Sequence, residues 1–457
     1  MKRPLPEAFC ADMRRMLGSD EAERLFASLD GASPVSVRFN PRKCGDEAPL
    51  EGSAVPWSRH GVYLESRPQF TTDTAFAAGY YYVQEAGSQF VDYLLSRESV
   101  EGGRILDMCA APGGKTTVYS TLVGEDGLVV ANEYVRNRAN ILADNVRKWG
   151  LGNVVVTNNS PSHIAPFEQW FDVVAVDAPC SGEGMFRKDE EARVEWSEEG
   201  VKMCATRQMS ILSDAWQSLK AGGLLLYSTC TFNEVENEGV VCSMMEEWGD
   251  ELEAVDELPL DESWGVTCSQ IGAFRLYRFF PHRVESEGFF VAVARKRFDV
   301  GGRVSQPKPR KQIMADVAKR DCEVLSRWFA EPSSMKFAMV GDMIYGYRSV
   351  RYDDVKRLAE RLTVIYSGVA VGQIFKSQLK PDWALSQYVG LRREAVNVAE
   401  LSDDDALDYL RKSDIAAAQF VEGLNLVTHK GRPLGFVKRI GARCNNMYPL
   451  SLKINNL

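Results

Sequence analysis

Residues 104–116 read RILDMCAAPGGKT: a short apolar run that ends at Asp107, a turn of small residues, and the start of a helical pattern. Similar apolar runs recur at 128–133, 154–156, 173–176 and 224–227, with amphipathic stretches between them. Short apolar strands that alternate with helices predict a parallel sheet covered on both faces. We therefore predict an α/β fold with a Rossmann-like, doubly wound sheet. A hairpin over 274–277 and 288–293 is predicted to add antiparallel strands at its edge.

The chain is long enough for two or three domains, since it has 457 residues. We predict an N-terminal α+β extension at 1–83, with two short helices before residue 30 and a strand at 35–40. The α/β domain is predicted to span 84–300, and a C-terminal α+β region 312–457. Glycines, prolines and basic residues without periodicity predict a linker from Gly301 to Lys311.

Charge is distributed unevenly along the chain. The net charge is -9, yet residues 301–457 carry 25 Lys and Arg against 17 Asp and Glu, which leaves -17 for the first 300 residues. A basic C-terminal third joined to an acidic body is compatible with a module that contacts phosphates, although such a segment is more often a solvated face. No apolar run is long enough for a membrane helix, and no secretory signal is visible.

The ten cysteines contain no Cys-x-x-Cys pair, and the four histidines are not spaced to share a ligand face. This pattern favours a reducing cytoplasm and predicts neither a disulfide scaffold nor a bound metal.

The turn at 107–116 predicts a cofactor site. A phosphate loop needs a glycine where Cys109 stands, and the dinucleotide pattern Gly-x-Gly-x-x-Gly is absent. A second acidic residue, Glu133, ends the next strand, where a carboxylate can bind ribose hydroxyls. S-adenosylmethionine fits this arrangement better than NAD, because nothing accommodates a pyrophosphate. The alternative is a strand-to-helix turn that needs small residues only for packing.

Two thiols are predicted to project from the same edge of the sheet. Asp177 and Cys180 follow one strand and Cys230 follows the next. A thiolate that adds to carbon 6 of cytosine makes carbon 5 nucleophilic enough to accept a methyl group. Free cysteines are usually buried and inert, and we assign that role to the cysteines at 10, 44, 204, 242, 268 and 322.

These segments resemble the Sun/Fmu (Nop2/Sun) family of RNA 5-methylcytosine methyltransferases, and within it the bacterial 16S ribosomal RNA cytosine-5 methyltransferase F group. The resemblance extends over nearly the whole chain and is carried by residues 37–41, 84–85, 107–116, 132–133, 177–188, 227–232 and 288–290. It implies a class I methyltransferase sheet and a C-terminal PUA-like module.

The resemblance also implies roles for single residues. Cys230 would be the covalent nucleophile, Cys180 would assist proton removal and release of the product, and Asp177 would contact the base and the methyl end of the cofactor. S-adenosylmethionine would be held by Cys109, Ala110, Ala111, Pro112, Gly113, Gly114, Lys115, Glu133 and Arg138. Relatives commonly carry an aspartate after the third strand, whereas residues 157–160 read TNNS. We expect Ser160, or an adjacent asparagine, to take its place at the adenine.

RNA contacts are predicted in two places. Arg38, Arg187 and Lys188 lie in the sequence near the site segments and would meet phosphates around an extruded cytosine. In the PUA-like module the predicted contacts are Lys430, Arg432, Lys438 and Arg439, which would bind folded RNA without sequence specificity.

The sequence thus predicts an S-adenosylmethionine-dependent RNA cytosine-5 methyltransferase, most simply of 16S ribosomal RNA, acting as a cytoplasmic monomer without a membrane or DNA partner. DNA cytosine methyltransferases place their nucleophile in a Pro-Cys unit, which Pro179-Cys180 also satisfies, so the preference for RNA depends on Cys230. The alternatives are a transfer RNA cytosine-5 methyltransferase and a non-catalytic RNA-binding ribosome assembly factor.

Overall fold

The computed structural model describes residues 2–45, 48–298 and 313–455. The predicted linker Gly301–Lys311 lies outside the described residues.

The N-terminal part contains a helical hairpin followed by a small sheet. Its strand order is β2-β3-β1-β4, with β1 paired antiparallel to both β3 and β4. The predicted pair of helices and the strand at 35–40 are confirmed. The elements are α1 (Glu7–Leu17), α2 (Ser19–Asp30), β1 (Val35–Phe39), α3 (Pro41–Cys44), β2 (Ser53–Ala54), β3 (Gly61–Leu64), α4 (Thr74–Ala77) and β4 (Tyr81–Val83).

The following part alternates strands and helices as predicted. Its elements are α5 (Phe90–Leu95), β5 (Arg104–Asp107), α6 (Gly114–Val123), β6 (Leu128–Asn132), α7 (Arg136–Trp149), β7 (Val154–Thr157), β8 (Phe171–Asp177), α8 (Glu190–Glu195), α9 (Glu198–Trp216), β9 (Leu219–Thr229), α10 (Glu238–Trp248), β10 (Leu252–Glu253), β11 (Thr267–Ile271), β12 (Phe274–Phe279) and β13 (Phe289–Lys296). The helix predicted over about 200–220 ends at Trp216, because Leu219 already belongs to the long strand β9.

These strands form one large sheet whose central order is β12-β13-β9-β8-β5-β6-β7. Strands β5 to β9 are parallel, and β13 and β12 are antiparallel, as the sequence predicts for the hairpin. The strand order reverses at β5, which lies between β6 and β8. In doubly wound sheets ligands bind at the carboxyl ends of the strands beside such a reversal. The predicted Rossmann-like fold is confirmed.

Both faces of this sheet are buried, as the apolar strands require. Along β5, Leu106 packs into the core on one face and Ile105 into the core on the other. On the first face the rings of Trp216 and Trp248 stack with their centroids 4.8 Å apart. Each such large side chain contributes roughly 1.5–3 kcal/mol on burial, so the sheet is a rigid platform for the loops at its edge.

The region after residue 312 contains two further sheets. The five-stranded one has the order β14-β15-β16-β18-β19, and the four-stranded one the order β20-β21-β22-β23. The elements are β14 (Met314–Asp316), α11 (Lys319–Ser326), β15 (Met335–Val340), β16 (Met343–Arg348), α12 (Tyr352–Ala359), β17 (Val364–Ser367), β18 (Val369–Phe375), β19 (Gln378–Pro381), α13 (Trp383–Gln387), β20 (Asn397–Glu400), α14 (Asp403–Leu410), β21 (Gly423–His429), β22 (Arg432–Ile440) and β23 (Arg443–Asn446).

Strand β17 lies in sequence between two strands of the five-stranded sheet, β16 and β18, but it pairs antiparallel with β7 and so extends the large sheet at its far edge. The pairing covers an edge that would otherwise expose unpaired backbone groups. The C-terminal region is therefore built into the α/β part and is not simply tethered to it. No described helix is long and apolar enough to cross a membrane.

The N-terminal helical hairpin packs against the loop that follows β8. The rings of Phe9 and Phe186 meet edge to face at 5.1 Å, in a cluster that also contains Phe232. The guanidinium of Arg193, whose side chain is 1% exposed, donates to the carbonyls of Phe186 and Leu29 and also pairs with Asp30. The hairpin thus supports the segment that carries Cys180.

Replacing Arg193 with alanine is expected to lower the free energy of unfolding by roughly 2–4 kcal/mol, because it leaves several buried carbonyls without a donor. Chemical denaturation followed by circular dichroism measures the change. Arg24→Ala is the matched control, since Arg24 pairs with Glu21 on the exposed face of α2 and such surface pairs contribute little. If the denaturation midpoint of Arg193→Ala is unchanged, the hydrogen bonds and ion pair of Arg193 do not stabilise the protein.

Candidate active site

The turn between β5 and α6 lies at the reversal of strand order. Gly113 has φ +114°, in the left-handed region, and a Cβ there would lie 3.0 Å from Leu142 Cδ1, so the position requires glycine. Helix α6 begins at Gly114, and its first amides face the turn, where they can bind an anionic group. Asp107 accepts a hydrogen bond from Thr116 Oγ1 at 2.6 Å, and burial raises its pKa to about 7.

Glu133 follows β6 and faces the same turn. One carboxylate oxygen, Oε1, accepts from the amide of Val135 at 2.9 Å. The other, Oε2, is buried and has no hydrogen-bond partner among the described residues, with Arg138 Nη1 at 3.5 Å. Arg138 also donates to the carbonyl of Ala111 at 2.9 Å, which links the two predicted cofactor segments. A buried acceptor without a donor is what the ribose hydroxyls of S-adenosylmethionine would satisfy, so these residues fit the cofactor.

Glu133→Ala is expected to weaken binding of S-adenosylhomocysteine roughly 10- to 100-fold, because a hydrogen bond to a charged group contributes about 1.5–3 kcal/mol. Isothermal titration calorimetry measures this without turnover. Glu65→Ala, at an exposed carboxylate of the N-terminal part, serves as the control and should bind as tightly as the unmodified protein. If the unmodified protein, Glu133→Ala and Glu65→Ala all bind S-adenosylhomocysteine with equal affinity, Glu133 does not contact the cofactor.

The segment after β7 shows which side chain is free to meet the adenine. Asn158 donates to the carbonyls of Glu133 and Tyr134. Asn159 exchanges two hydrogen bonds with the backbone of Thr363, at 3.2 and 3.1 Å. Both amides are therefore engaged with backbone groups. Ser160 is half-buried, and within the described part of the chain its hydroxyl has one hydrogen-bond partner, Ser162 Oγ at 3.0 Å, so Ser160 remains the proposed adenine contact.

Lys115 and Asp177 connect the cofactor turn to the thiol loops. Lys115 Nζ lies 2.9 Å from Asp177 Oδ2, and Ser228 Oγ donates to Asp177 Oδ1 at 2.7 Å. Burial by itself would lower the pKa of Lys115, but the Asp177 carboxylate outweighs that effect and raises it. The charged form of the Lys115 ammonium is therefore favoured beside the site.

The two predicted thiols are in contact. Cys180 follows β8 and Cys230 follows β9, and their Sγ atoms are 3.3 Å apart. Accepting a hydrogen bond from Cys180 lowers the pKa of Cys230, with Lys115 assisting and burial opposing. The same hydrogen bond, together with burial, raises the pKa of Cys180. One negative charge is thus favoured on the Cys230 sulfur, which is the form that attacks carbon.

Two predicted RNA contacts need correction. Arg38 is 2% exposed and donates to Gln84 Oε1 at 2.8 Å and to Thr117 Oγ1. Arg187 is also buried, and its guanidinium pairs with Glu287 at 3.4 Å. Both guanidinium groups are bound to partners inside the protein, so neither is retained as a proposed phosphate contact. Lys188, the neighbour of Arg187, is exposed.

The predicted basic residues of the C-terminal module lie on or beside β22. Lys430 and Lys438 are exposed, while Arg432 and Arg439 are half-buried. Arg432 lies over the ring of Tyr80 at 5.2 Å from its centroid, so it also contacts the N-terminal part. Two of the four side chains are therefore exposed to solvent, and one of these, Lys430, pairs with Asp403 at 3.0 Å.

Several polar residues near the thiols were not identified from the sequence. Glu183, Glu236, Asn233 and Gln208 are all buried, and they connect the two cysteine-bearing loops by hydrogen bonds. Glu236 and Asn237 lie in the loop before α10, which begins at Glu238. Such a network is identified by charged residues that are buried in loops. The sequence does not show which loop residues are buried, so the network is recognised only from the structure. No group of three or more His, Cys, Asp or Glu in the described ranges is placed to hold a metal ion.

Three family descriptions match consecutive parts of the chain. Residues 5–86 match the N-terminal domain of 16S rRNA methyltransferase RsmF, residues 94–295 match 16S rRNA methyltransferase RsmB/F, and residues 396–454 match the methyltransferase RsmF PUA domain. Together they cover the N-terminal part, the large sheet apart from its edge strand β17, and the four-stranded sheet.

Two curated relatives carry the same name. Ribosomal RNA small subunit methyltransferase F of Erwinia tasmaniensis is 30% identical over 98% of this chain and 96% of its own length. The protein of the same name from Aeromonas salmonicida is 32% identical over 88% of this chain and 86% of its own.

Solved structures agree on the fold. A methyltransferase homolog protein from Pyrococcus horikoshii is 28% identical, with a TM-score of 0.54 over 64% of this chain and 95% of its own. NSun6 from Pyrococcus horikoshii with SFG is 20% identical, with a TM-score of 0.53 over 64% of this chain and 99% of its own, and shows the fold alone. The resemblance found in the sequence is confirmed: the chain belongs to the 16S rRNA methyltransferase RsmB/F family.

Proposed function

We propose that this protein transfers the methyl group of S-adenosylmethionine to carbon 5 of a cytosine in 16S ribosomal RNA, with Cys230 as the covalent nucleophile. The observation that carries the proposal is the pair of sulfur atoms, 3.3 Å apart, at the sheet edge that also holds the cofactor turn. The relatives named ribosomal RNA small subunit methyltransferase F support the choice of acceptor.

The cofactor supplies an electrophilic methyl group on a sulfonium. The turn of residues 109–115 would receive its methionine part, Glu133 and Arg138 its ribose, and Ser160 its adenine. Asp177, held by Lys115 and Ser228, would lie between the methyl end and the base. These assignments are supported by the free oxygen of Glu133 and by the engaged amides of Asn158 and Asn159.

Cys230 begins the reaction. Its thiolate adds to carbon 6 of the cytosine, which moves the electrons of the 5,6 double bond onto carbon 5. Carbon 5 then forms a bond to the methyl carbon as the methyl–sulfur bond breaks, leaving S-adenosylhomocysteine and a covalent adduct of the methylated base.

Cys180 completes the reaction. While Cys230 carries the negative charge, their hydrogen bond keeps the proton on Cys180. Once Cys230 has bonded to carbon, that charge is gone and Cys180 no longer has an anion beside it, so Cys180 can release its own proton to solvent and act as a thiolate base. It then takes the proton from carbon 5, the double bond re-forms, and the bond between carbon 6 and Cys230 breaks.

RNA, and not DNA, is the proposed acceptor, because the nucleophile is assigned to Cys230 and not to the Pro-Cys unit at 179–180. The exposed Lys188, Lys430 and Lys438 are proposed phosphate contacts. We propose that the protein works as a monomer in a reducing cytoplasm, which is consistent with its ten free cysteines.

The test uses the full-length protein, labelled S-adenosylmethionine and, in parallel, 16S ribosomal RNA, small subunits, transfer RNA and duplex DNA. We expect label in the ribosomal samples and 5-methylcytidine on nucleoside analysis, and bisulfite sequencing then locates the position. Label in transfer RNA alone would identify a transfer RNA enzyme. RNA binding without any transfer would identify an assembly factor.

A further inference from the structure

The two segments that carry the thiols, residues 178–189 and 230–237, are here called the first and second cysteine loops. Each sends one fully buried carboxylate into the other loop: Glu183 from the first and Glu236 from the second are both 0% exposed. Charged side chains are rarely buried to this extent unless all their hydrogen bonds are made. The hydrogen bonds that these two carboxylates accept therefore indicate which parts of the loops each carboxylate holds in place.

Glu183 accepts from the second loop. Its Oε2 receives the backbone amides of Phe232 and Asn233, at 2.7 and 2.9 Å. Its Oε1 receives Trp196 Nε1 at 3.0 Å and the side-chain amide of Asn233 at 2.9 Å. The carboxylate thus fixes the backbone two and three residues after Cys230.

Glu236 accepts from the first loop. Its Oε2 receives the backbone amide of Ser181, the residue next to Cys180, at 2.9 Å, and Gln208 Nε2 at 2.8 Å. Its Oε1 receives the side-chain amide of Asn233 at 2.9 Å. This carboxylate therefore fixes the position of Cys180 from the opposite loop.

Two further contacts bring the loops close together. The amide of Gly184 donates to the carbonyl of Cys230 at 2.8 Å, and a Cβ at Gly184 would lie only 2.7 Å from that oxygen. The hydroxyls of Ser181 and Thr231, each adjacent to a thiol, are 2.9 Å apart. Neither carboxylate has a side-chain cation as a hydrogen-bond partner among the residues described, so the network consists of neutral donors around two charges.

We propose that Glu183 and Glu236 are reciprocal positioning residues that hold the two sulfur atoms at contact distance, and that release of the covalent adduct depends on them more than its formation does. This inference rests on the proposed function, because it assumes that Cys230 forms the adduct and Cys180 resolves it.

The asymmetry between formation and release follows from what holds each sulfur. After the attack, Cys230 is bonded to the base and no longer needs the loop to stay in place. Cys180 is still held by its own loop. That loop is anchored to the second cysteine loop at the next residue, where the Ser181 amide donates to Glu236 and the Ser181 hydroxyl contacts Thr231. A displacement of about 1 Å is enough to slow a proton transfer markedly.

The experiment compares Glu183→Gln and Glu236→Gln with the unmodified full-length protein. A glutamine keeps the shape of the glutamate side chain but replaces one acceptor oxygen with an NH2 group. That group faces donors such as Ser181 N or Asn233 Nδ2, so at least one hydrogen bond of the network is lost. Glu234→Gln is the matched control, because Glu234 lies in the second loop but is 44% exposed and pairs with Arg15. Single-turnover assays measure methyl transfer, and denaturing gels with labelled RNA measure the fraction of enzyme in the adduct.

For both variants we expect turnover to fall about tenfold or more while first-turnover methyl transfer changes less than about threefold. The adduct fraction should rise, and affinity for S-adenosylhomocysteine should stay unchanged. The control should behave like the unmodified protein. Because a variant with a buried substitution can fail to fold, Asn233→Ala is measured alongside and should show the same shift toward the adduct. It removes the donor shared by the two carboxylates, together with the oxygen that accepts the Glu236 amide, and leaves both carboxylates in place.

The inference is overturned if methyl transfer and adduct formation fall together, since the carboxylates then serve the attack or the fold, or if turnover is unchanged. The same gels include Cys180→Ala. If Cys180→Ala accumulates the adduct and the glutamate variants do not, only this inference fails. If Cys180→Ala forms no adduct, the proposed function fails with it.

Discussion

Replacing Cys230 with alanine is expected to reduce methyl transfer by roughly a thousandfold or more, because it removes the thiolate proposed to add to carbon 6 of the base. The lowered pKa of Cys230, caused by the hydrogen bond from Cys180, makes it the better nucleophile of the pair at neutral pH. Transfer of labelled methyl groups to small subunits measures the loss.

Two controls separate this effect from damage to the fold. Cys230→Ala should bind S-adenosylhomocysteine as tightly as the unmodified protein. Cys242→Ala, at an exposed cysteine on α10, should retain full activity. Substantial methyl transfer by Cys230→Ala would contradict the assignment, and loss of all adduct in Cys180→Ala instead would reverse the roles of the two thiols.

Replacing Cys180 with alanine is expected to give the opposite phenotype, a stable covalent complex between protein and RNA. The adduct forms on Cys230, but the base that removes the proton from carbon 5 is missing, so release slows by about a hundredfold or more. A band of protein with RNA that survives denaturation, and carries the transferred methyl label, is the readout.

The same variant makes a prediction about pH. Without Cys180 the hydrogen bond to the Cys230 sulfur is lost, so the pKa of Cys230 rises toward its ordinary value and less thiolate is present at neutral pH. The pH at which adduct formation reaches half its maximal rate should therefore move upward relative to the unmodified protein. A downward shift would mean that Cys180 does not stabilise the thiolate.

Much of the catalytic part of this site follows from local sequence. Strands β5, β6, β8 and β9 are short apolar runs, so their carboxyl ends, and with them Glu133, Asp177, Cys180 and Cys230, are expected at one edge of a parallel sheet. The left-handed turn at Gly113 is also apparent from the paired glycines. These features depend on contacts between neighbouring strands, which periodicity predicts well.

The features that the sequence did not predict depend on contacts between distant segments. Arg38 resembles a surface cation in sequence, yet folding places it against Gln84 and Thr117 of other elements. The backbone of Thr363 forms hydrogen bonds with the side chain of Asn159, although the two residues are more than two hundred positions apart. They meet because β17, which follows Thr363, joins the large sheet. Whether a charged residue faces RNA or the interior is decided by packing, which a single sequence does not record.

The most direct test of the central claim is to trap the adduct and locate the bond. A small-subunit RNA with 5-fluorocytosine in place of cytosine has no proton at carbon 5, so release is blocked after methyl transfer in the unmodified protein. After digestion, mass spectrometry should find the nucleotide attached to the peptide that contains Cys230. Attachment to Cys180, or no covalent complex at all while methyl transfer to normal RNA proceeds, would contradict the account.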